Sequence, residues 1–211
     1  VTWFGHSTFL VELEGKIILI DPMFSSNTSP IPFVGPKRYT MEFPLELSEL
    51  PVIDVVLISH DHYDHLDMRS IKTLKAKTKQ FIVPLGVENH LVRWGVDERK
   101  IISLNWWQQA KFKDLQFIAA PSRHFSGRGL MDGSSTLWCS WIIQGGTHKI
   151  YFSGDSGYGP HFKEINEKFG KFDLAMLECG QYNQKWKNIH MLPEQTVQAA
   201  VDLQADYFMP I

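Results

Sequence analysis

A short, almost wholly apolar run from Val55 to Ser59 stops at His60, and residues 60 to 67 then read His-Asp-His-Tyr-Asp-His-Leu-Asp. The run suits a buried strand, because a strand covered on both faces reads as continuous β-branched and aliphatic sequence. The chain therefore needs a sheet that buries Val55 to Ser59 and lets the polar cluster emerge at its carboxyl edge. His60, His62, Asp64 and His65 are ligand types that suit Zn²⁺, Fe or Mn, and four so close together can hardly all serve one ion. Two adjacent metal sites are the economical reading, with His60 and His62 turned to one ion and Asp64 and His65 to the other. The competing reading is a polar surface turn, but the preceding strand gives these side chains a rigid base.

With 211 residues, 44% hydrophobic and 21% charged, the chain can build one substantial core, and a single domain over residues 1–211 is expected. No apolar run approaches the ~20 residues of a membrane span, and no signal-like segment opens the chain. Val1-Thr2-Trp3-Phe4-Gly5-His6 enters strand-like sequence without a cap, so truncation at the amino terminus is expected and a preceding targeting segment stays open. A net charge of −2 argues against general nucleic-acid binding, which rests on many Lys and Arg contacts to phosphate. Cys139 and Cys179 read as buried free thiols rather than a disulfide. These features fit a cytoplasmic protein and leave peripheral membrane contact and oligomeric state open.

Thr8 to Leu13 and Lys16 to Ile20 read as strands joined by a tight hairpin at Glu14-Gly15. Further strands are expected at Gln80 to Val83, Leu115 to Ala120, Thr136 to Gln144, Lys149 to Ser153 and Leu174 to Glu178. Asp67 is a cap for a helix through Ala76, while Val87, Leu91 and Trp94 share one helical face before Gly95. Phe162, Ile165 and Phe169 repeat that spacing before Gly170, and Pro193 opens another helix through Val197, Ala200 and Val201. Hairpins mixed with single crossover helices predict layered sheets covered by helices, α/β (α+β) in class. Ser25 to Pro51 reads as a long loop, a packing segment or a substrate-binding wall.

Two further strands end in polar, glycine-containing turns, Pro121-Ser-Arg-His-Phe-Ser-Gly127 and Phe152-Ser-Gly-Asp-Ser-Gly157. His124 would complete a three-histidine site, and Asp155 has two oxygens with which to bridge two ions. Either segment alone is as readily an ordinary turn.

His-x-His-x-Asp-His, a distant His and then Gly-Asp together resemble the metallo-β-lactamase superfamily. The likeness continues in Trp3-Phe4-Gly5-His6, Gly35-Pro36-Lys37-Arg38, Leu130-Met131-Asp132 with Trp138 to Trp141, Gly157-Tyr158, Phe169 to Ala175, and His190 with Pro193-Glu194. These segments, spread over nearly the whole chain, are similar to the N-acylphosphatidylethanolamine-hydrolysing phospholipase D family. The resemblance implies a four-layer αβ/βα sandwich of metallo-β-lactamase type and two Zn²⁺ ions, with Fe or Mn as alternatives. It assigns His60, His62 and His124 to one ion, Asp64 and His65 to the second, and Asp155 to both. It also implies a histidine after Phe208-Met-Pro-Ile211, so truncation at the carboxyl terminus is expected too.

Two metals about 3.5 to 4 Å apart can supply a hydroxide at neutral pH and stabilise the oxygens of an in-line displacement. The implied reaction is attack of that hydroxide on a phosphodiester such as an N-acyl phospholipid, with Asp64, Asp155 and His190 in catalytic roles. Lys37, Arg38, Arg128 and His190 are candidate contacts to the anionic substrate. Asp21 and His6 are candidates for orienting the ligands. Trp106-Trp107, Phe33, Val34, Tyr39 and Phe43 would form an acyl-chain wall, or serve as ordinary core. A lactonase on the same fold is the alternative, because fold alone does not set substrate.

Overall fold

The structure is a computed structural model that describes residues 1–29, 35–38, 47–129, 131–180 and 182–211. It divides into two compact units, Val1–Leu104 with Ser126–Leu137, and Asn105–Phe125 with Trp138–Ile211.

In the first unit, β1 (Thr2–Trp3), β2 (Phe9–Leu13), β3 (Lys16–Ile20), β4 (Ile53–Leu57), β5 (Thr78–Pro84) and β6 (Ile101–Leu104) lie side by side in chain order. β1 to β3 pair antiparallel, whereas β3 to β6 run parallel. The expected hairpin forms because Glu14 (φ 49°) and Gly15 (φ 72°) both adopt the left-handed conformation of a two-residue turn whose twist matches its strands. The parallel strands need crossovers, which α1 (Met68–Leu74) and α2 (Glu88–Arg93) supply. The Asp67 carboxylate caps α1 by accepting the N–H groups of Arg69 and Ser70, each at 3.2 Å. Ile71, Leu74, Val87 and Leu91 are fully buried with Val56, Phe81 and Val83, so the expected apolar helix faces build this core.

The strand expected from Val55 to Ser59 sits two residues earlier, at Ile53–Leu57. The Ser59 N–H donates to the Asp21 carboxylate at 2.7 Å instead of to a neighbouring strand. In the loop expected from Ser25 to Pro51, Asn27 and Lys37 form an isolated antiparallel bridge and Leu47–Glu49 makes a single 3₁₀ turn. Phe33, Val34, Tyr39 and Phe43 lie outside the described residues.

In the second unit, β7 (Gln109–Phe112), β8 (Leu115–Ala120), β9 (Ser140–Gln144), β10 (Lys149–Phe152), β11 (Phe172–Leu177) and β12 (Ala205–Pro210) also follow chain order. β7 to β10 are antiparallel, and β10 to β12 parallel. The crossovers are α3 (His161–Phe169), which Gly170 ends with φ 72°, and α4 (Pro193–Asp202). Phe162 and Ile165 pack with Tyr151, Phe172 and Ala199 in a core of fully buried side chains. Cys139 and Cys179 form no disulfide, as expected; Cys139 is buried, whereas Cys179 is only half-buried rather than buried as its sequence suggested. Among the described residues both units are mixed α/β, each a sheet with its own pair of α-helices, in agreement with the fold class read from the sequence.

Candidate metal centre

In the first unit, β4 delivers the cluster. After Leu57 the chain leaves the sheet, and the His62 carbonyl accepts the N–H groups of His65 (3.1 Å) and Leu66 (2.8 Å), closing a turn that gathers the side chains. Donor atoms of His60 and His62 lie within 4.8 Å of each other, as do those of Asp64 and His65. The rings of His60 and His65 are 4.2 Å apart, and His60 Nε2 faces His62 Nδ1 at 2.9 Å.

One buried carboxylate sets the protonation of this group. Asp21 follows β3 in the left-handed conformation (φ 44°), a strained setting for a residue other than glycine, and is wholly buried. It accepts the Ser59 N–H, the Ser59 hydroxyl at 2.6 Å and His65 Nδ1–H at 2.8 Å. The Ser59 hydroxyl has one proton, given to Asp21, so at 2.9 Å it accepts from His60 Nδ1–H. Both imidazoles thus carry their proton on Nδ1 and a lone pair on Nε2. That is the arrangement a metal-ligating histidine requires, with the distal ring nitrogen held by an acceptor. Burial pushes the Asp21 carboxyl up, while His65 and Ser59 pull it back. His6 Nε2 lies 3.5 Å from Asp64 Oδ2, so both residues expected to orient ligands touch one.

Asp61 lies inside the same motif, yet its role is different. It is wholly buried and accepts the Gly127 N–H at 2.7 Å, with His90 Nε2 at 3.4 Å. Burial raises this carboxyl, but His90, Gly127 and Thr136 outweigh it and hold the group below its ordinary value. Asp61 thereby ties the 126–137 segment to the donor turn of its own unit.

In the second unit, His124 follows β8 and Asp155 follows β10, with His124 Nε2 3.5 Å from Asp155 Oδ2. His124 Nδ1–H donates to the Ile189 carbonyl at 3.0 Å, which again leaves the lone pair on Nε2. His190 Nδ1 pairs with Glu178 Oε1 at 2.7 Å, and Glu178 Oε2 accepts the Met191 N–H at 2.7 Å. Burial pushes the Glu178 carboxyl up to about 7; His190 pulls against this and Asp155 adds to it. The rings of His124 and His190 are 5.3 Å apart. Ser59 and Glu178 were read from the sequence only as strand ends; the available signal was a polar residue closing a buried strand.

The donor set fits a borderline metal: imidazole nitrogens with fixed tautomers and carboxylate oxygens, with no thiolate among them. The basic candidates have other partners as well. Arg38 is buried and donates to the Phe4 and Gly5 carbonyls, and Lys37 is exposed. Arg128 donates to the carbonyls of Asp61 and Leu66 and lies over the Tyr63 ring at 4.0 Å. Trp106 donates to the Trp138 carbonyl at 2.6 Å, and Trp107 stacks on Phe169 at 6.3 Å between centroids. Among the described residues, no helix is long and apolar enough to cross a membrane.

A β-lactamase superfamily domain matches residues 16–211. A Mycobacterium tuberculosis protein described as uncharacterized is 46% identical over 204 residues, covering 96% of this chain and 54% of its own. N-acyl-phosphatidylethanolamine-hydrolyzing phospholipase D 1 of Caenorhabditis elegans is 37% identical over 209 residues, covering 93% of this chain and 58% of its own. The chain thus spans little more than half the length of these relatives. Among solved structures, Igni18, a metallo hydrolase from Ignicoccus hospitalis, superposes with a TM-score of 0.71 at 25% identity, covering 99% of this chain and 80% of that one. The chain belongs to the β-lactamase superfamily and has the α/β fold of its metal-dependent hydrolases.

Proposed function

We propose that the chain carries the catalytic centre of a zinc-dependent phosphodiesterase of phospholipase D type that cleaves an N-acyl phospholipid. In this reading His60, His62 and His124 hold one Zn²⁺, Asp64 and His65 hold the second, and Asp155 serves both. A bound zinc pair supplies Lewis acidity toward a phosphoryl oxygen and makes water a stronger acid. The observation that carries the metal reading is the Asp21–Ser59 relay, which gives His60 and His65 the same tautomer through three hydrogen bonds. The phosphodiester reading is supported by the sequence resemblance and by the name of the nematode relative.

The chain's own groups then divide the work. His190, oriented by Glu178, gives or takes a proton at the leaving oxygen through Nε2. Asp64 and Asp155 contribute negative charge that holds the cations and orients water. Lys37, Arg38 and Arg128 bring positive charge to the neighbourhood of an anionic substrate, with Lys37 as the exposed one. A small-molecule or phospholipid substrate, met at the surface of a membrane, suits these roles.

The test loads the protein with zinc and offers it N-acyl phosphatidylethanolamine. Release of phosphatidic acid, abolished by His62→Ala, is the expected result. Absence of phosphodiester cleavage, with opening of a lactone ring in the same panel, would transfer the assignment to a lactonase.

A further inference from the structure

The first unit also has a cavity that shares only Arg128 with the hydrolytic reading. It is an open cleft of about 390 Å³, near the lower end of the roughly 300–1,000 Å³ range of small-molecule pockets. Arg69 at the start of α1, Arg93 at the end of α2 and Arg128 line it, facing two carboxylates, Asp67 and Asp132.

Both carboxylates are already engaged by neutral donors. Asp67 accepts the N–H and hydroxyl of Ser25 (3.1 and 2.8 Å), the hydroxyl of Ser70 (2.5 Å) and two N–H groups that begin α1. Asp132 accepts the N–H groups of Arg128 and Gly129 at 3.2 and 2.7 Å. Among the described residues, none of the three arginines forms an ion pair. Arg128 is fixed in place by the Leu66 carbonyl at 2.7 Å and by the faces of Tyr63 and Trp94, at 4.0 and 5.3 Å. Arg69 and Arg93 are exposed at the rim. Ser25, Ser26, Asn27 and Ser29 form a short polar side of the wall, and Tyr63, Met68, His90 and Trp94 a larger, mostly apolar one.

Three guanidiniums outnumber the two carboxylates of the lining and none is committed to an ion pair, so their planar forks can match phosphate oxygens in pairs. The volume exceeds what a bare phosphate fills, and the serine and asparagine wall offers partners to hydroxyl or amine groups. We propose that this cavity binds a phosphomonoester of a small polar alcohol, with its phosphate on Arg69, Arg93 and Arg128 and its alcohol portion against Ser25 to Ser29. No proposed metal donor lines the cavity, so binding is independent of metal.

Calorimetric titration with glycerol 3-phosphate and phosphoethanolamine tests this on the zinc-loaded protein, on the chelated protein and on His62→Ala. Vesicles of phosphatidic acid in phosphatidylcholine present the same group on a lipid. The expected result is one saturable event that survives chelation and His62→Ala, is absent with glycerol, and weakens about tenfold in each of Arg69→Ala and Arg93→Ala, as loss of one charged hydrogen bond implies. Binding to the vesicles alone, lost in the same two variants, also supports the site and assigns its ligand to a lipid headgroup. Three results would overturn it: no binding in either form, undiminished binding by an Arg69→Ala/Arg93→Ala double variant with native circular dichroism, or disappearance of the event on chelation.

Discussion

Asp21 offers the sharpest test of how this chain prepares its ligands, because one carboxylate orders two imidazoles. Asp21→Ala removes the acceptor of the Ser59 N–H, the Ser59 hydroxyl and His65 Nδ1–H. The hydroxyl can turn to His60 Nδ1 at 2.9 Å only if the His60 proton moves to Nε2, and the N–H groups of Ser59 and His65 are then left buried without a partner. At about 1–3 kcal/mol for each orphaned buried donor, the variant loses roughly 4 kcal/mol if His65 keeps its tautomer. A shift of the His65 proton to Nε2 lets the Ser59 hydroxyl, 3.4 Å away, serve Nδ1 and removes about half of that cost.

Asp21→Asn separates stability from ligation. The amide oxygen still accepts the Ser59 N–H, while the amide nitrogen can only donate toward His65 Nδ1 and therefore favours the tautomer with its proton on Nε2. The fold should lose only about 1 kcal/mol, whereas metal affinity should fall about 10–100-fold, the usual cost of removing an outer hydrogen-bond partner. Urea unfolding of chelated protein reads the first quantity, competition against a chromophoric chelator reads the second, and ¹⁵N chemical shifts report the His65 tautomer. Wild-type metal affinity in Asp21→Asn, with the proton still on Nδ1, would refute the relay.

Three further outcomes follow from the second unit. A Cβ at Gly157 would collide with the main chain of Asn188, two residues before His190, so Gly157→Ala should cost about 1–3 kcal/mol in denaturant unfolding and disturb the His190 ring signals; an unshifted spectrum would contradict this. Phe162→Ala empties a fully buried site among Tyr151, Ile165 and Phe172 and should cost about 3–5 kcal/mol, with a loss below about 1 kcal/mol incompatible with the packing. Two buried groups give metal-free stability opposing pH slopes. Burial lowers His161 from 6.5 to about 4, so the unfolded chain binds the extra proton and stability falls on acidification through that window. Glu178, raised from 4.5 to about 7, binds its extra proton when folded, so stability falls as pH climbs through its own window. His161→Gln should steepen the decline toward neutral pH and Glu178→Gln the decline toward acid; identical profiles for both variants would show that neither group titrates as its surroundings dictate.

The parts of the fold that were legible in the sequence are those where burial writes a period. Phe162, Ile165 and Phe169 before Gly170, or the two residues of the Glu14-Gly15 turn, each have a local physical cause that acts the same way in any context. The strands that escaped notice, β6, β7 and β12, share one property: each lies at the edge of its sheet. An edge strand carries charge that blurs its apolar period, as in Gln109-Ala-Lys-Phe112. The site divides along the same line. Residue type and spacing mark out His60, His62, Asp64 and His65, since ligand chemistry acts through the side chain itself. What they do not encode locally is the proton arrangement, which depends on Asp21 brought 38 residues along the chain to Ser59 and on Glu178 brought 12 residues to His190. A buried carboxylate at the end of a strand is an ordinary sight in a sequence, and only the fold turns it into the acceptor that decides which nitrogen of a histidine carries the lone pair.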